Sequence, residues 1–150
     1  MMINPYMEQA LIEAKKAASL GEVPVGAVIV NNGKIIARAH NHRETDNNAL
    51  AHAEIIAIDE ACKKLGRWRL EDSEIYVTLE PCPMCAGAII NSRLKAVYFG
   101  AYDSKAGACG SVVDLLREGL FNHTPDVYCG IMEDACQLIL TEFFKNLRST

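Results

Sequence analysis

No stretch of this 150-residue sequence is apolar for long enough to span a bilayer as a helix, so a helical membrane protein is not expected. Residues 1–6 hold no basic segment followed by an apolar one. No signal peptide is therefore expected, and the expected compartment is the cytoplasm. A basic excess is also missing: 15 Lys and Arg stand against 19 Asp and Glu, for a formal net charge of −4 and a pI of about 5.5. A basic domain is the usual footprint of a nucleic-acid binder. An RNA partner would thus need a local patch, for which Lys63, Lys64, Arg67, Arg69, Arg43, Lys105, Lys145 and Arg148 are the candidates. Repeats, low-complexity tracts and linkers are lacking too, so residues 1–150 are expected to form one domain.

What is present supports a packed interior. Hydrophobic residues make up 50% of the chain and charged residues 23%, as in ordinary globular domains. A chain of this length buries about 68–70% of its unfolded surface, so a core forms without disulfide staples. The six cysteines are expected to be reduced, with the close pair Cys82 and Cys85 metal-bound or redox-active. Cys62 and Cys136 fall on apolar helical stripes and read as small buried hydrophobes. Cys109 and Cys129 are also read as structural.

Periodicity sets out the elements. Asn4 and Pro5 suit a helix cap and first position; Met7, Leu11, Ala14 and Ala18 recur at helical spacing, and Gly21 suits the stop. Residues 25–30 read as a buried strand. Asn32-Gly33 marks a type I′ hairpin turn, with a second strand over 35–40. A polar loop over 41–50 follows, and Asn48 is expected to cap a helix whose stripe is Ile55, Ile58, Cys62 and Leu65, ended by Gly66. Further strands are expected over 73–79, 95–100 and 127–129. Helices are expected from Pro83 to about Ser92, briefly through Val112, Leu115 and Leu116, and along Cys136, Ile139, Leu140, Phe143 and Leu147. This order predicts a layered α/β fold on a mixed sheet, with an antiparallel hairpin and later parallel strands joined by right-handed crossovers.

Two segments carry the chemistry: His52-Ala53-Glu54, and Pro81-Cys82-Pro83-Met84-Cys85. One imidazole and two thiols are three ligands for zinc, leaving a tetrahedral position open to water. Glu54 is then a carboxylate free to move protons. Both segments lie at expected helix starts, where the positive end of the helix dipole favours thiolates. Cys-x-x-Cys alone also fits a redox pair, but that leaves His52 and Glu54 unexplained. A structural zinc site would need a fourth ligand, with His40, His42, His123, Cys109 and Cys129 available. His-x-Glu alone is common by chance. The two motifs together, with a strand between them, are specific.

Together they resemble the zinc-dependent cytidine deaminase superfamily, and within it the bacterial tRNA-specific adenosine deaminases, over nearly the whole chain. Similar segments are Glu22-Val23-Pro24-Val25-Gly26-Ala27-Val28, Thr78-Leu79-Glu80-Pro81-Cys82, Cys85-Ala86-Gly87-Ala88-Ile89, the glycine-rich loop from Gly100 to Ser111, Asn122-His123 and Phe143-Phe144. The resemblance implies a three-layer α/β fold, cytidine deaminase-like, with a central mixed five-stranded sheet flanked by helices. It implies one zinc per subunit on His52, Cys82 and Cys85. Glu54 would shuttle protons while zinc-activated hydroxide converts adenosine to inosine at the wobble position of a tRNA anticodon loop. Asn41 would hydrogen-bond the purine, the Ala53 N–H would face it, and Val23 and Pro24 would line the pocket. Asp103, Lys105, Asn122 and His123 would contact neighbouring nucleotides. One of Phe143 and Phe144 would be core, and the other would stack on a base or a subunit. The implied partners are the anticodon stem-loop and a second copy of the chain, with no membrane.

The chain departs from the family at Asn48-Ala49-Leu50, where Asp-Pro-Thr is common. Asn keeps the capping chemistry, but contacts made by Thr are lost. Two other readings stand beside the main one. A free-base or nucleoside deaminase, for guanine or cytosine, would share the metal motifs. A catalytically idle, zinc-stabilised RNA-binding or scaffold protein would have no use for Glu54.

Overall fold

The computed structural model describes residues 2–148. Helix α1 (Pro5–Ser19) starts as its sequence requires. Asn4 Oδ1 accepts hydrogen bonds from the N–H groups of Tyr6 and Met7, and Pro5 takes the first helical position. Its buried face is Met7, Ala10, Leu11, Glu13, Ala14 and Ala17. Strands β1 (Gly26–Asn31) and β2 (Lys34–His40) form the hairpin. Both turn residues have positive φ, 51° at Asn32 and 74° at Gly33, as a type I′ turn demands. A register shift after Ile29 leaves one extra residue on β2.

Helix α2 (Ala53–Leu65), strand β3 (Ser73–Leu79), helix α3 (Pro83–Asn91), strand β4 (Ala96–Ala101), strand β5 (Asp126–Tyr128) and helix α4 (Glu133–Arg148) follow. The sheet order is β2-β1-β3-β4-β5. β1 runs antiparallel to both its neighbours, while β3, β4 and β5 run parallel, so the sheet is mixed as expected. Successive strand residues point to opposite faces, and both faces are covered. Ala27, Ile29, Ile75, Val77, Val97 and Phe99 pack under α2 and α3. Val28, Val30 and Tyr76 pack against Met7, Ala10 and Leu11 of α1 and Cys136 and Leu140 of α4. On that second face Tyr76, Tyr98 and Tyr128 occupy matching positions on three strands and stack, with ring centroids 4.3 and 4.6 Å apart. The single tryptophan, Trp68, lies instead on the exposed loop after α2, with the guanidinium groups of Arg69 and Arg93 over its ring.

Helix α1 lies flush on the start of β1 because Gly26 has no side chain; a Cβ there would sit 2.0 Å from the Ala10 carbonyl oxygen. Some local expectations fail. Asn48 does not cap α2: its Oδ1 accepts from the Leu50 N–H in a turn of its own, and the chain stays extended through His52, which is the actual capping position. No helix forms through Val112, Leu115 and Leu116. The amides there are drawn elsewhere, Ser111 N–H to Glu80 and Leu115 N–H to the Ala108 carbonyl, and Cys109 bridges Asp114. Nor is either phenylalanine of α4 core: Phe143 is half-buried and Phe144 is exposed. All six cysteines are free thiols. Cys136 is fully buried, but Cys62 is only half-buried and Cys129 is exposed.

Because β3 and β4 are parallel, their carboxyl ends share one edge of the sheet. The starts of α2, α3 and the antiparallel β1 meet at that edge, the usual place for a site in an open α/β sheet.

Candidate metal centre

His52 and Cys82 hold equivalent positions: each is the extended residue immediately before a helix, and neither side chain caps its own helix. Pro83 takes the first position of α3, and Cys85 falls in its first turn. The two helix starts therefore converge on one point, with their positive ends toward the thiols. His52 Nδ1 lies 3.6 Å from Cys82 Sγ and 3.5 Å from Cys85 Sγ. In tetrahedral coordination, with bonds of about 2.3 Å to sulfur and 2.05 Å to nitrogen, the N···S edge is about 3.6 Å. The residues thus fit zinc without rearrangement. All ligand atoms of the three lie within 4.8 Å of one another, and no fourth His, Cys, Asp or Glu joins them among the described residues.

Their protonation fits the same conclusion. The hydrogen bond with Cys85 and the neighbouring imidazole bring Cys82 down to about 4, against the effect of burial. The same bond and burial push the Cys85 thiol up. The bond to Cys82 raises His52 in turn, with burial opposing. A divalent cation held by these three residues would displace their remaining protons. Glu54 is 4% exposed, is no member of the ligand cluster, and contacts the Cys85 thiol. Burial pushes its carboxyl up to about 7.

A cavity of about 210 Å³ opens on this centre. Drug-sized ligands occupy roughly 300–1,000 Å³, so this one suits a single flat ring system. It is lined by His52, Ala53, Glu54 and Cys82 on the metal side, and by Val23, Val25, Asn41, Arg43, Leu79, Glu80, Asp103 and Ala106 elsewhere. Of the residues expected from sequence, Val23, Asn41, Ala53 and Asp103 reach it. Pro24 is buried beside it without lining it. Lys105 lies on an adjoining groove that shares Val23, Leu79, Asp103 and Ala106 with the cavity and runs on to Tyr102, Phe144 and Arg148. Asn122 and His123 are elsewhere. His123 Nε2 is 2.7 Å from the Leu94 carbonyl oxygen, ahead of β4. Ala101, at the other end of β4, bonds Glu80 at the cavity. The six residues of β4, about 16 Å at roughly 3.3 Å per residue, lie between the two ends.

Arg43, a candidate for the basic patch, also lines the cavity, and Val25, Leu79, Glu80 and Ala106 join it without a sequence signal for that role. Glu80 is the most informative of them. Burial pushes its carboxyl up, but the Ser111 hydroxyl and the N–H groups of Asp103, Ser111 and Cys109 together hold it below the ordinary value. No sequence pattern marks such a role. Several basic candidates for an RNA patch prove to be paired: Lys63 with Asp59 at 2.9 Å, Arg67 with Asp72 at 2.9 Å, and Arg69 with Glu71 at 3.7 Å.

Comparison with known proteins agrees with the geometry. The family model of MafB19-like deaminases matches residues 2–148. A tRNA-specific adenosine deaminase of Bacillus subtilis is 57% identical over 143 residues, covering 95% of this chain and 89% of that protein. A structure from a study of A-to-I editing by tRNA:A34 deaminases at the wobble position superposes with a TM-score of 0.87 at 47% identity, covering 90% of this chain and 98% of the other. The guanine deaminase of Bacillus subtilis is 42% identical, with a TM-score of 0.65, over 74% of this chain and 71% of that one.

Proposed function

The chain belongs to the MafB19-like deaminase family, and from that premise we propose that it converts adenosine to inosine at the wobble position of a tRNA anticodon loop. The observation that carries this reading is an open three-ligand cluster with a buried, non-ligating carboxyl, Glu54, on the wall of a base-sized cavity. A structural metal site has no need of that carboxyl.

His52, Cys82 and Cys85 would hold a zinc ion, which would supply a Lewis acid able to make a water nucleophilic at neutral pH. Glu54 is placed to take a proton from a water and give it to the purine ring nitrogen as the water oxygen bonds C6. The proton of the new C6 hydroxyl would then pass through Glu54 to the exocyclic amine, so that the C–N bond breaks, ammonia leaves and C6 keeps a carbonyl oxygen. A carboxyl raised by burial serves in both directions near neutrality. Asn41 hydrogen-bonds the purine, the Ala53 N–H faces it, and Val23 packs on it, with Pro24 supporting the wall from behind. The cavity is too narrow for a stacked nucleotide, so the target base leaves its stack to enter it.

Asp103 and Lys105 meet the flanking nucleotides along the adjoining groove, where Phe144 offers a stacking face and Arg148 a charge. Asn122 and His123 sit too far away to serve their own cavity. They contact RNA bound to the second copy of a homodimer, which carries one zinc per subunit. The protein works in the cytoplasm, as its substrate requires; among the described residues no helix is long and apolar enough to cross a membrane.

The test is incubation of the purified zinc protein with an anticodon stem-loop carrying a wobble adenosine, with inosine as readout. Glu54→Ala should keep its zinc and lose about 10²–10⁴-fold in rate. The similarity to a guanine deaminase makes free guanine the second substrate to try. Turnover of guanine with the RNA left unchanged would overturn the reading, and an active Glu54→Ala would overturn the role given to that residue.

A further inference from the structure

Two buried glutamates outside the metal cluster do the same thing for two loops that line the cavity. Glu22 is 0% exposed and Glu80 is 2% exposed, and among the described residues neither forms an ion pair with Lys or Arg. Each is instead neutralised by backbone N–H groups of a distant loop. Glu22 accepts from the Glu44 N–H at 3.1 Å, the Thr45 N–H at 2.5 Å and the Thr45 hydroxyl at 2.6 Å. Glu80 accepts from the N–H groups of Asp103, Cys109 and Ser111, each at 3.0 Å, and from the Ser111 hydroxyl at 2.5 Å.

Neither loop has regular secondary structure, so its amides need an acceptor from elsewhere. The first loop contributes Asn41 and Arg43 to the cavity wall, and the second contributes Asp103 and Ala106. A carboxylate has about four lone-pair positions, and the four donors fill those of Glu80. It lines the cavity but has no acceptor left for a ligand. Its loop passes so close that a Cβ on Gly107 would meet the Glu80 Cδ at 2.4 Å. Glycine at that position is what lets the loop close over the carboxylate.

We propose that Glu22 and Glu80 are positioning residues that fix two loop-built walls of the substrate cavity, and so set affinity for the RNA without entering the chemistry. The proposal rests on the function given above. Each carboxylate tethers one wall only. Replacement by glutamine turns one acceptor into a donor aimed at N–H donors, and that wall alone should loosen.

The test compares zinc-loaded wild type with Glu22→Gln and Glu80→Gln. Both variants should keep one zinc per chain. KM for the anticodon stem-loop should rise about tenfold, with kcat nearly unchanged. Amide hydrogen exchange should quicken at Glu44 and Thr45 in Glu22→Gln only, and at Asp103, Cys109 and Ser111 in Glu80→Gln only. Should either glutamine variant fail to fold, Thr45→Ala and Ser111→Ala remove one donor each and should shift KM and exchange in the same sense, by less. Unchanged exchange and KM would overturn the proposal, as would loss of kcat at unchanged KM. Wild-type protein that makes no inosine would instead overturn the functional reading, with the exchange data still deciding whether these carboxylates hold the walls.

Discussion

The Nδ1 of His52 lies 3.5 Å from the Sγ of Cys85, although 33 residues and a whole strand separate them in sequence. That spacing matches one edge of a zinc tetrahedron before any metal is considered, so metal should bind to a site already shaped for it. Holding free zinc at about 100 times its Kd adds about 2.7 kcal/mol of stability. For a chain of this size that raises Tm by about 5–10 °C. Thermal scans of chelator-treated and zinc-restored protein measure the shift, and Cys85→Ala should abolish it. An identical Tm with and without zinc would count against a preformed site.

Glu13 gives the fold a predictable acid limb. It is buried under α1, 2.8 Å from Lys16, 3.2 Å from Arg38 and 3.2 Å from His40. Burial pushes its carboxyl up, but Lys16, His40 and Arg38 together hold it below the ordinary value. A carboxyl depressed in the folded state binds protons more readily when unfolded. Its contribution is therefore complete above the unfolded pKa of about 4.3 and is lost as pH falls through the lower folded value. Glu13→Gln should cost about 1–3 kcal/mol at neutral pH, and the gap should narrow below about pH 4. Urea unfolding across that range measures it; parallel curves for the two proteins would refute the assignment.

Two glycines should respond oppositely to the same methyl group. Gly26→Ala drives a Cβ to 2.0 Å from the Ala10 carbonyl oxygen and 2.5 Å from the Ala14 nitrogen, both backbone atoms. A loss of about 3 kcal/mol or more is expected, since overpacking against backbone cannot relax through a rotamer. Gly87, inside α3, has nothing within 4 Å of the corresponding position. Gly87→Ala should gain about 0.5–1 kcal/mol from helix propensity. Denaturant midpoints of both variants check the pair, and a destabilised Gly87→Ala would show that a second copy packs there.

The distance of His123 from its own cavity makes a complementation experiment decisive. If His123 serves the other subunit, a dimer pairing Glu54→Ala with His123→Ala contains one site with both groups intact. Mixing the two variants with subunit exchange should then yield more inosine than the sum of the variants apart. No gain on mixing would restrict His123 to its bond with the Leu94 carbonyl.

The convergence of His52, Cys82 and Cys85 was legible in sequence because both segments sit at helix starts, where local spacing dictates geometry. The hairpin was legible for a similar reason: Asn32 and Gly33 tolerate the positive φ their turn requires. Long-range hydrogen bonding was not legible. Asn48 has the chemistry of a cap but spends it on Leu50, and the helix expected to start just after it is capped four residues later, at His52. Val112, Leu115 and Leu116 have helical spacing, yet the amides around them answer to Ala108, Asp114 and Glu80. Glu22 and Glu80 act on residues more than 20 positions away, which no periodicity encodes.

The stacked tyrosines and the lone tryptophan divide the optical signals of this protein between two places. Trp68 is 55% exposed and lies between two guanidinium groups, so its fluorescence answers to the surface and to added ions. Tyr76, Tyr98 and Tyr128 are coupled ring to ring across three strands, so near-ultraviolet circular dichroism reads the integrity of the sheet itself. Tryptophan emission therefore reports on the loop after α2, and near-ultraviolet circular dichroism on the strands, so coincidence of the two signals tests whether loop and sheet unfold together.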